Sequence, residues 1–328
     1  MRNYCLLFLL ISVFSCKQEV FQKLNRGTYR AELKVSDSLY LPFVFEVNDE
    51  THLKIFNADE IIYIDEVSYK NDSIIIKMPV FEGYLSAKLE NDVLIGNFIT
   101  TNLNRSLPFV AEMNGIRFES KQDAHKNVSG NWEVIFSPNS DVDRYIAKGI
   151  FQQVENKVTG TFLTTTGDYR YLEGVVDGDQ LKLSTFDGAH AFLFIATLTD
   201  STMKGTFYSG NHWEEPFEAQ RNNNFELPDA NDLTYLKEGY DKLMFSFPDS
   251  NGDLVSLDSA RFKNKVVLVQ IMGTWCPNCL DESKYYAQYY KANKDKGLEI
   301  LALAFEYVKT EEKAFKNIKR LQDRIDIE

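Results

Sequence analysis

Cysteine, histidine and proline are scarce in this chain. Its 328 residues hold four cysteines, four histidines and eight prolines, and no proline follows Pro277. So few cysteines exclude a disulfide framework. His52, His125, His190 and His212 do not share metal-ligand spacing, so no metal is expected from them. Basic clusters are also missing. The net charge is −12, which argues against nucleic acid, because that binding rests on neutralising phosphates. The apolar run Leu6–Ile11 near the start is too short to span a bilayer stably. What remains is 44% apolar, the composition of a soluble globular protein, and long enough for two or three domains.

The most informative stretch is Val266–Glu282, VVLVQIMGTWCPNCLDE. Val266–Met272 reads as a strand buried on both faces. Beyond Gly273-Thr274-Trp275 the period changes, and Cys276, Leu280, Ser283, Tyr286/Ala287 and Tyr290 fall at helical spacing. Pro277 takes the first helical position, where its missing N–H costs nothing. Cys276 therefore sits at the helix mouth, where the N-terminal N–H groups favour thiolate over thiol and lower its pKa. Cys279 follows one turn on. An attacking thiolate and a resolving thiol are the minimum equipment for thiol–disulfide exchange. Two plainer readings stand beside this one. A C-x-x-C is half a zinc site, but no Cys or His follows Cys279 to complete it. A structural disulfide is the other, but it would close almost no loop and stabilise little. Trp275 is expected to pack beside the pair, and with Pro277 it is a candidate for binding substrate.

Strand, then WCxxC, then helix resembles the thioredoxin superfamily. The lead-in Phe245–Val269, FSFPDSNGDLVSLDSARFKNKVVLV, narrows this to a resemblance with the envelope-anchored TlpA/ResA-like redoxins, thiol-disulfide oxidoreductases with an AhpC/TSA-redoxin-like domain. That group implies a reductive role, with clients in cytochrome c assembly or envelope disulfide repair. It also implies a thiol-tuning or proton-relaying acid three residues after the second Cys, the place held by Glu282. As a plain alternative, Glu282 is a first-turn acid favoured by the helix dipole. The resemblance implies no cofactor beyond the Cys276–Cys279 disulfide.

The N-terminus gives the address. Arg2, the apolar core and then Val13-Phe14-Ser15-Cys16 resemble a bacterial lipobox, of the kind expected in a Bacteroidetes-type lipoprotein. This implies cleavage before Cys16 and acylation of its sulfur, with the protein lipid-anchored in the cell envelope. The alternative is a plain secretory signal with an incidental Cys. Cys5 leaves with the signal in either case, and Cys276 and Cys279 remain as the free thiols of the anchored form.

From about Gly27 to Asn224 the chain reads as strands. Leu39, Leu41, Phe43, Phe45 and Val47 alternate at period two; Ile74–Ile76, Trp132–Phe136, Val158–Leu163 and Leu181–Phe186 are short β-branched or aromatic runs. Asn, Asp and Gly punctuate them, as at Asp177-Gly178 and Asp187-Gly188, and the acidic residues are taken as solvated turn formers. The region repeats itself. Gly27-Thr28-Tyr29 matches Gly130-Asn131-Trp132, Asp72–Ile76 matches Asp179–Leu183, Gly96-Asn97-Phe98 matches Gly205-Thr206-Phe207, and Pro108–Ala111 matches Pro216–Ala219. Two tandem antiparallel units, small barrels or sandwiches, are expected, with one continuous sheet system as the alternative. Trp213 with His212 and Glu214-Glu215 is a weak site candidate, since an aromatic at a strand start is more often core.

The expected organisation is a signal at 1–16, β units at 17–120 and 127–224, a polar linker at 225–244, and an α/β thioredoxin-like domain from 245 to 328. In that domain a hairpin turns at Asn251-Gly252, two parallel strands follow with crossover helices, and a last helix opens at Thr310. It departs from the thioredoxin pattern in lacking the cis-Pro loop and the closing hairpin and helix, so the domain is expected to lack its C-terminal half. The reading as a whole is an envelope thiol–disulfide oxidoreductase acting on disulfide-bearing envelope proteins and recharged by an upstream thiol reductant. Two other classes stay open. One is a peroxide-reducing enzyme of the AhpC/TSA group, whose Pro-x-x-x-Thr-x-x-Cys context is not reproduced at Cys276. The other is a β-repeat binding lipoprotein with a degenerate redox tail.

Overall fold

The computed structural model describes residues 23–70 and 72–327. The leader, Cys5 and Cys16, with the signal and lipid-anchor readings attached to them, lie outside the described residues. Among the described residues no helix is long and apolar enough to cross a membrane.

Alternating side chains build the first β unit. In Gly27–Lys34, Tyr29, Ala31 and Leu33 are buried while their neighbours are not, which is the signature of a strand with one face on a core. Nine such strands form an antiparallel meander, and the last, Arg105–Met113, returns to pair with the first. Its two edge strands, Glu60–Ile64 and Val67–Lys70, are adjacent in sequence yet unpaired with each other, so this sheet curls into a nearly closed barrel with one open seam. The second unit runs the same course. Gly130–Phe136 pairs with both Tyr145–Val154 and Trp213–Arg221, and Tyr145–Val154 also pairs with Lys157–Thr164, which closes the ring. There are thus two separate sheets, not one continuous system.

The repeated motifs fall at equal places in the two meanders. Gly27 and Gly130 open the first strands, Gly96 and Gly205 lie on the penultimate ones, and Pro108 and Pro216 lie on the last. The paired glycines have a steric reason. A Cβ at Gly96 would fall 2.0 Å from the Ser86 carbonyl oxygen, and one at Gly205 2.3 Å from that of Ile195. Only glycine lets these tightly curved strands approach so closely. The second barrel is filled by aromatics: Trp132, Phe136, Phe151, Phe162, Phe194, Phe207 and Phe217 are buried there.

Three expectations are corrected. The acidic residues are not all solvated turn formers: Asp187, read as turn punctuation, is 1% exposed and ion-paired to Arg170, and Glu215 is buried on Tyr145 and Ser137. Trp213 is not core; it is half-exposed at its strand start. The third concerns Val266–Met272, which pairs in parallel with Leu298–Ala304 and with no other strand among the described residues. Val266 is 72% and Ile271 68% exposed, so this strand is not buried on both faces. An apolar run is buried on both sides only when helices or other layers cover both faces of its sheet.

The rest of the C-terminal region follows its local signals. A hairpin pairs Ser246–Pro248 with Leu254–Ser256, and helices cover Pro277–Asn293 and Glu311–Ile325. Thr310 caps the last helix through its side chain, with Glu311 and Glu312 in the first turn, where the helix dipole favours them. This helix lies on the first barrel. Leu321 is buried in that barrel's core cluster, Arg320 bonds Glu66 and the Met78 and Pro79 carbonyls, and Arg324 grips Asp65 with two bonds of 2.9 and 2.6 Å.

Candidate redox site

The Cys pair stands where strand becomes helix. Gly273-Thr274-Trp275 leads out of the strand, and the backbone N–H and hydroxyl of Thr274 donate to the Glu306 carboxylate at 2.7 and 2.6 Å. Cys276 is the N-cap of Pro277–Asn293, in extended conformation, and Pro277 is buried at the first turn. The Cys276 sulfur accepts the backbone N–H of Cys279 at 3.3 Å, and the Cys279 sulfur lies 2.6 Å from it. Both cysteines are free thiols, partly exposed.

The two thiols titrate as one coupled system. One proton leaves below the ordinary thiol range, at about 6, chiefly because the neighbouring sulfur's hydrogen bond stabilises the anion, while Glu282 opposes it. The other proton is held far above that range by the same hydrogen bond and by burial. Taken alone, that titration puts the charge on Cys279. The backbone puts it on Cys276, which accepts the Cys279 N–H and caps the helix N-terminus, and we assign the thiolate there.

The candidates from the sequence fall close together. Trp275 stacks on Tyr307 with ring centroids 4.3 Å apart, and its indole N–H donates to the Phe305 carbonyl. Both rings line a cavity of about 260 Å³ shared with Phe81, Phe98, Leu107 and His212 of the two barrels. Burial, then the neighbouring Arg105, pushes His212 down to about 4, so the imidazole is neutral at pH 7. Glu282 lies one turn beyond Cys279 and is exposed. It accepts from the Gln270 amide and the Tyr286 hydroxyl, each at 2.9 Å.

Other contributors escaped sequence reading. Gln270 interrupts the apolar run and is 5% exposed. Its amide nitrogen donates to Glu282 and to the Cys279 carbonyl, and its oxygen accepts from Ser283. One buried polar side chain thus ties the strand to the Cys helix, and a polar residue inside an apolar run was the available signal. Gln270→Leu is expected to cost about 1–3 kcal/mol, because the groups it satisfies lose their partner. Urea unfolding read at the redox region measures this, and a loss near zero would remove the bridging role. Arg170 also reaches the site, from the second barrel. It bonds Asn278 at 2.7 Å and pairs with Asp281 at 2.9 Å, a contact that no local pattern foreshadows.

Chemically, the site offers a low-pKa sulfur, a second thiol in reach of it, and an aromatic-walled hollow alongside. Residues 240–325 match the AhpC/TSA family. The chain is 38% identical over 68 residues to the thiol-disulfide oxidoreductase ResA of Bacillus subtilis, covering 21% of this chain and 37% of that protein. It is 39% identical over 59 residues to ResA of Bacillus thuringiensis, covering 18% and 33%. The chain thus spans about a third of the length of these curated relatives. A transferrin-binding protein B mutant from Haemophilus parasuis covers 60% of this chain and 76% of its own at 8% identity, with a TM-score of 0.20, too low to carry an argument. The fold is therefore two barrel-like β sheets followed by a thioredoxin-like AhpC/TSA region.

Proposed function

We propose that this protein is a thiol–disulfide oxidoreductase of the cell envelope that reduces disulfides of partner proteins. The observation that carries the reading is the Cys276 sulfur at a helix N-terminus, accepting the N–H of Cys279 with the second sulfur 2.6 Å away. The Cys276 thiolate attacks one sulfur of the partner disulfide and displaces the other as thiolate. Cys279 then loses its proton and attacks the Cys276 sulfur of the mixed disulfide. The second partner sulfur leaves, and the partner has gained two electrons while Cys276 and Cys279 have become a disulfide. An upstream thiol reductant returns the pair to its dithiol form. Trp275 and Tyr307 form the wall against which the partner segment docks, Pro277 stays buried beneath the first turn, and Glu282 takes part in moving the Cys279 proton. The lipobox-like Cys16 anchors the chain in the envelope, and cytochrome c assembly is one source of clients consistent with the resemblance.

The test is the pH dependence of Cys276 alkylation in the reduced protein. Deprotonation raises the rate as pH increases, so with the thiolate on Cys276 the half-maximal rate is expected below the ~8.5 of a free cysteine. A midpoint at the free-cysteine value, together with a disulfide that does not cycle, overturns the proposal.

A further inference from the structure

The C-x-x-C motif does not stand alone: a loop of the second barrel, residues 167–170, holds it. Asn278 lies between the two cysteines. Its side-chain oxygen accepts from Arg170 at 2.7 Å, and its nitrogen donates to the Asp168 carbonyl at 3.2 Å. The approach is close enough that a Cβ on Gly167 would come within 2.9 Å of the Asn278 amide. The same guanidinium pairs with Asp281 one turn further along the helix, at 2.9 Å.

Arg170 is itself held in place. Its side chain is 4% exposed, bonded to Glu60 of the first barrel at 2.6 Å and ion-paired with Asp187 of its own barrel at 3.3 Å. Its backbone sits at φ 63°, a left-handed conformation that an arginine keeps only when its surroundings over-determine it. One cation therefore joins both barrels to the first turn of the Cys helix. Glu60 and Asp187 already supply carboxylates to it, and structural neutralisation alone does not account for its reach to Asn278.

We propose that Arg170 is a positioning residue of the redox centre, holding Asn278 and Asp281 so that the first-turn N–H groups stay aimed at the Cys276 sulfur. This rests on the reading of Cys276 and Cys279 as an exchange pair. The charged groups around the pair are Asp281 and Glu282 on its own helix, Glu306 from beyond the second parallel strand, and Arg170 with Glu60 and Asp187 from the barrels. Without Arg170 the Asp281 charge keeps only the exposed Lys284, at 3.5 Å, and the turn is free to loosen. Both effects disfavour the thiolate, and the reduced form loses stability relative to the disulfide.

The experiment uses the full chain, with iodoacetamide alkylation of Cys276 against pH and equilibration of the disulfide with a dithiothreitol redox buffer. Arg170→Met and Asn278→Ala are each expected to slow alkylation below the wild-type midpoint by about three- to tenfold while leaving the rate at high pH unchanged. Both should also make the disulfide harder to reduce. Arg170→Lys, which keeps the charge but loses the fork, should recover part of the shift. The double variant should move no further than either single one. If Arg170→Met folds and its titration matches wild type, the positioning role is overturned. If Arg170→Met does not fold, Asn278→Ala decides alone, because it lies on the helix and leaves the barrels intact: an unmoved midpoint overturns the role and a raised one supports it. A wild-type protein with no low titration removes the exchange reading as well; a low wild-type midpoint that no variant moves removes only the role of Arg170.

Discussion

Cys276→Ser is expected to bring reduction of a partner disulfide down to the background rate, a loss of at least about 10³-fold, because a serine hydroxyl does not ionise in this pH range and Cys279, the other free thiol among the described residues, serves to resolve and not to attack. Cys279→Ser should fail differently. Attack by Cys276 still occurs, but nothing resolves the product, and a mixed disulfide with the partner accumulates. Intact mass of the trapped species separates the two variants. The result that would sink the exchange mechanism is a Cys276→Ser protein that keeps most of its turnover, or a Cys279→Ser protein that traps nothing. A peroxide reducer would instead consume peroxide with its attacking Cys alone, so peroxide turnover by Cys279→Ser would redirect the reading.

The second large effect lies far from the sulfurs. Phe136→Ala is expected to destabilise the second barrel by about 3–5 kcal/mol, a large share of an ordinary domain's stability of about 5–15 kcal/mol. Phe136 is fully buried, and its ring lies 4.8 Å from Tyr145, 5.4 Å from Tyr169 and 5.5 Å from Phe217, centroid to centroid. Phe162 packs edge-on to it at 5.6 Å. Removing the ring leaves a hole that a closed barrel cannot collapse into, because its strands are bonded on both sides. Trp132, buried in the same cluster, reports the transition by its fluorescence in urea. A loss below about 1 kcal/mol would mean that the barrel relaxes far more than its hydrogen-bond ring suggests. Tyr169, which packs on Phe136, immediately precedes Arg170, so the barrel core also fixes where that arginine stands.

What the sequence revealed and what it hid divide by range. Period-two alternation and the Gly-x-Phe and Pro-Phe matches expose the strands and the tandem repeat, because these signals are local. The Cys helix and the Thr310 cap are legible for the same reason: N-cap, Pro277 and first-turn acids all act within one turn. Closure of one barrel and not the other is not local. It depends on whether Tyr145–Val154 meets Lys157–Thr164, and nothing in the first unit's composition announces that Glu60–Ile64 and Val67–Lys70 stay apart. Asp187 was misread because Asp-Gly is a turn signal whether or not a buried cation waits beneath it. Arg170, 108 residues from Asn278, had no signal at all.

The open seam of the first barrel has a consequence for biogenesis. The residues at its lips, Asp65 and Glu66, are gripped by Arg324 and Arg320, and the latter pair is 254 residues apart. At ordinary translation speeds of about 5–20 residues per second, the helix carrying these arginines leaves the ribosome roughly 13–50 s after the two acids it holds. The second barrel can zip shut as soon as Trp213–Arg221 emerges, whereas the first keeps its two edge strands unpaired with each other and relies on side chains of a helix made much later.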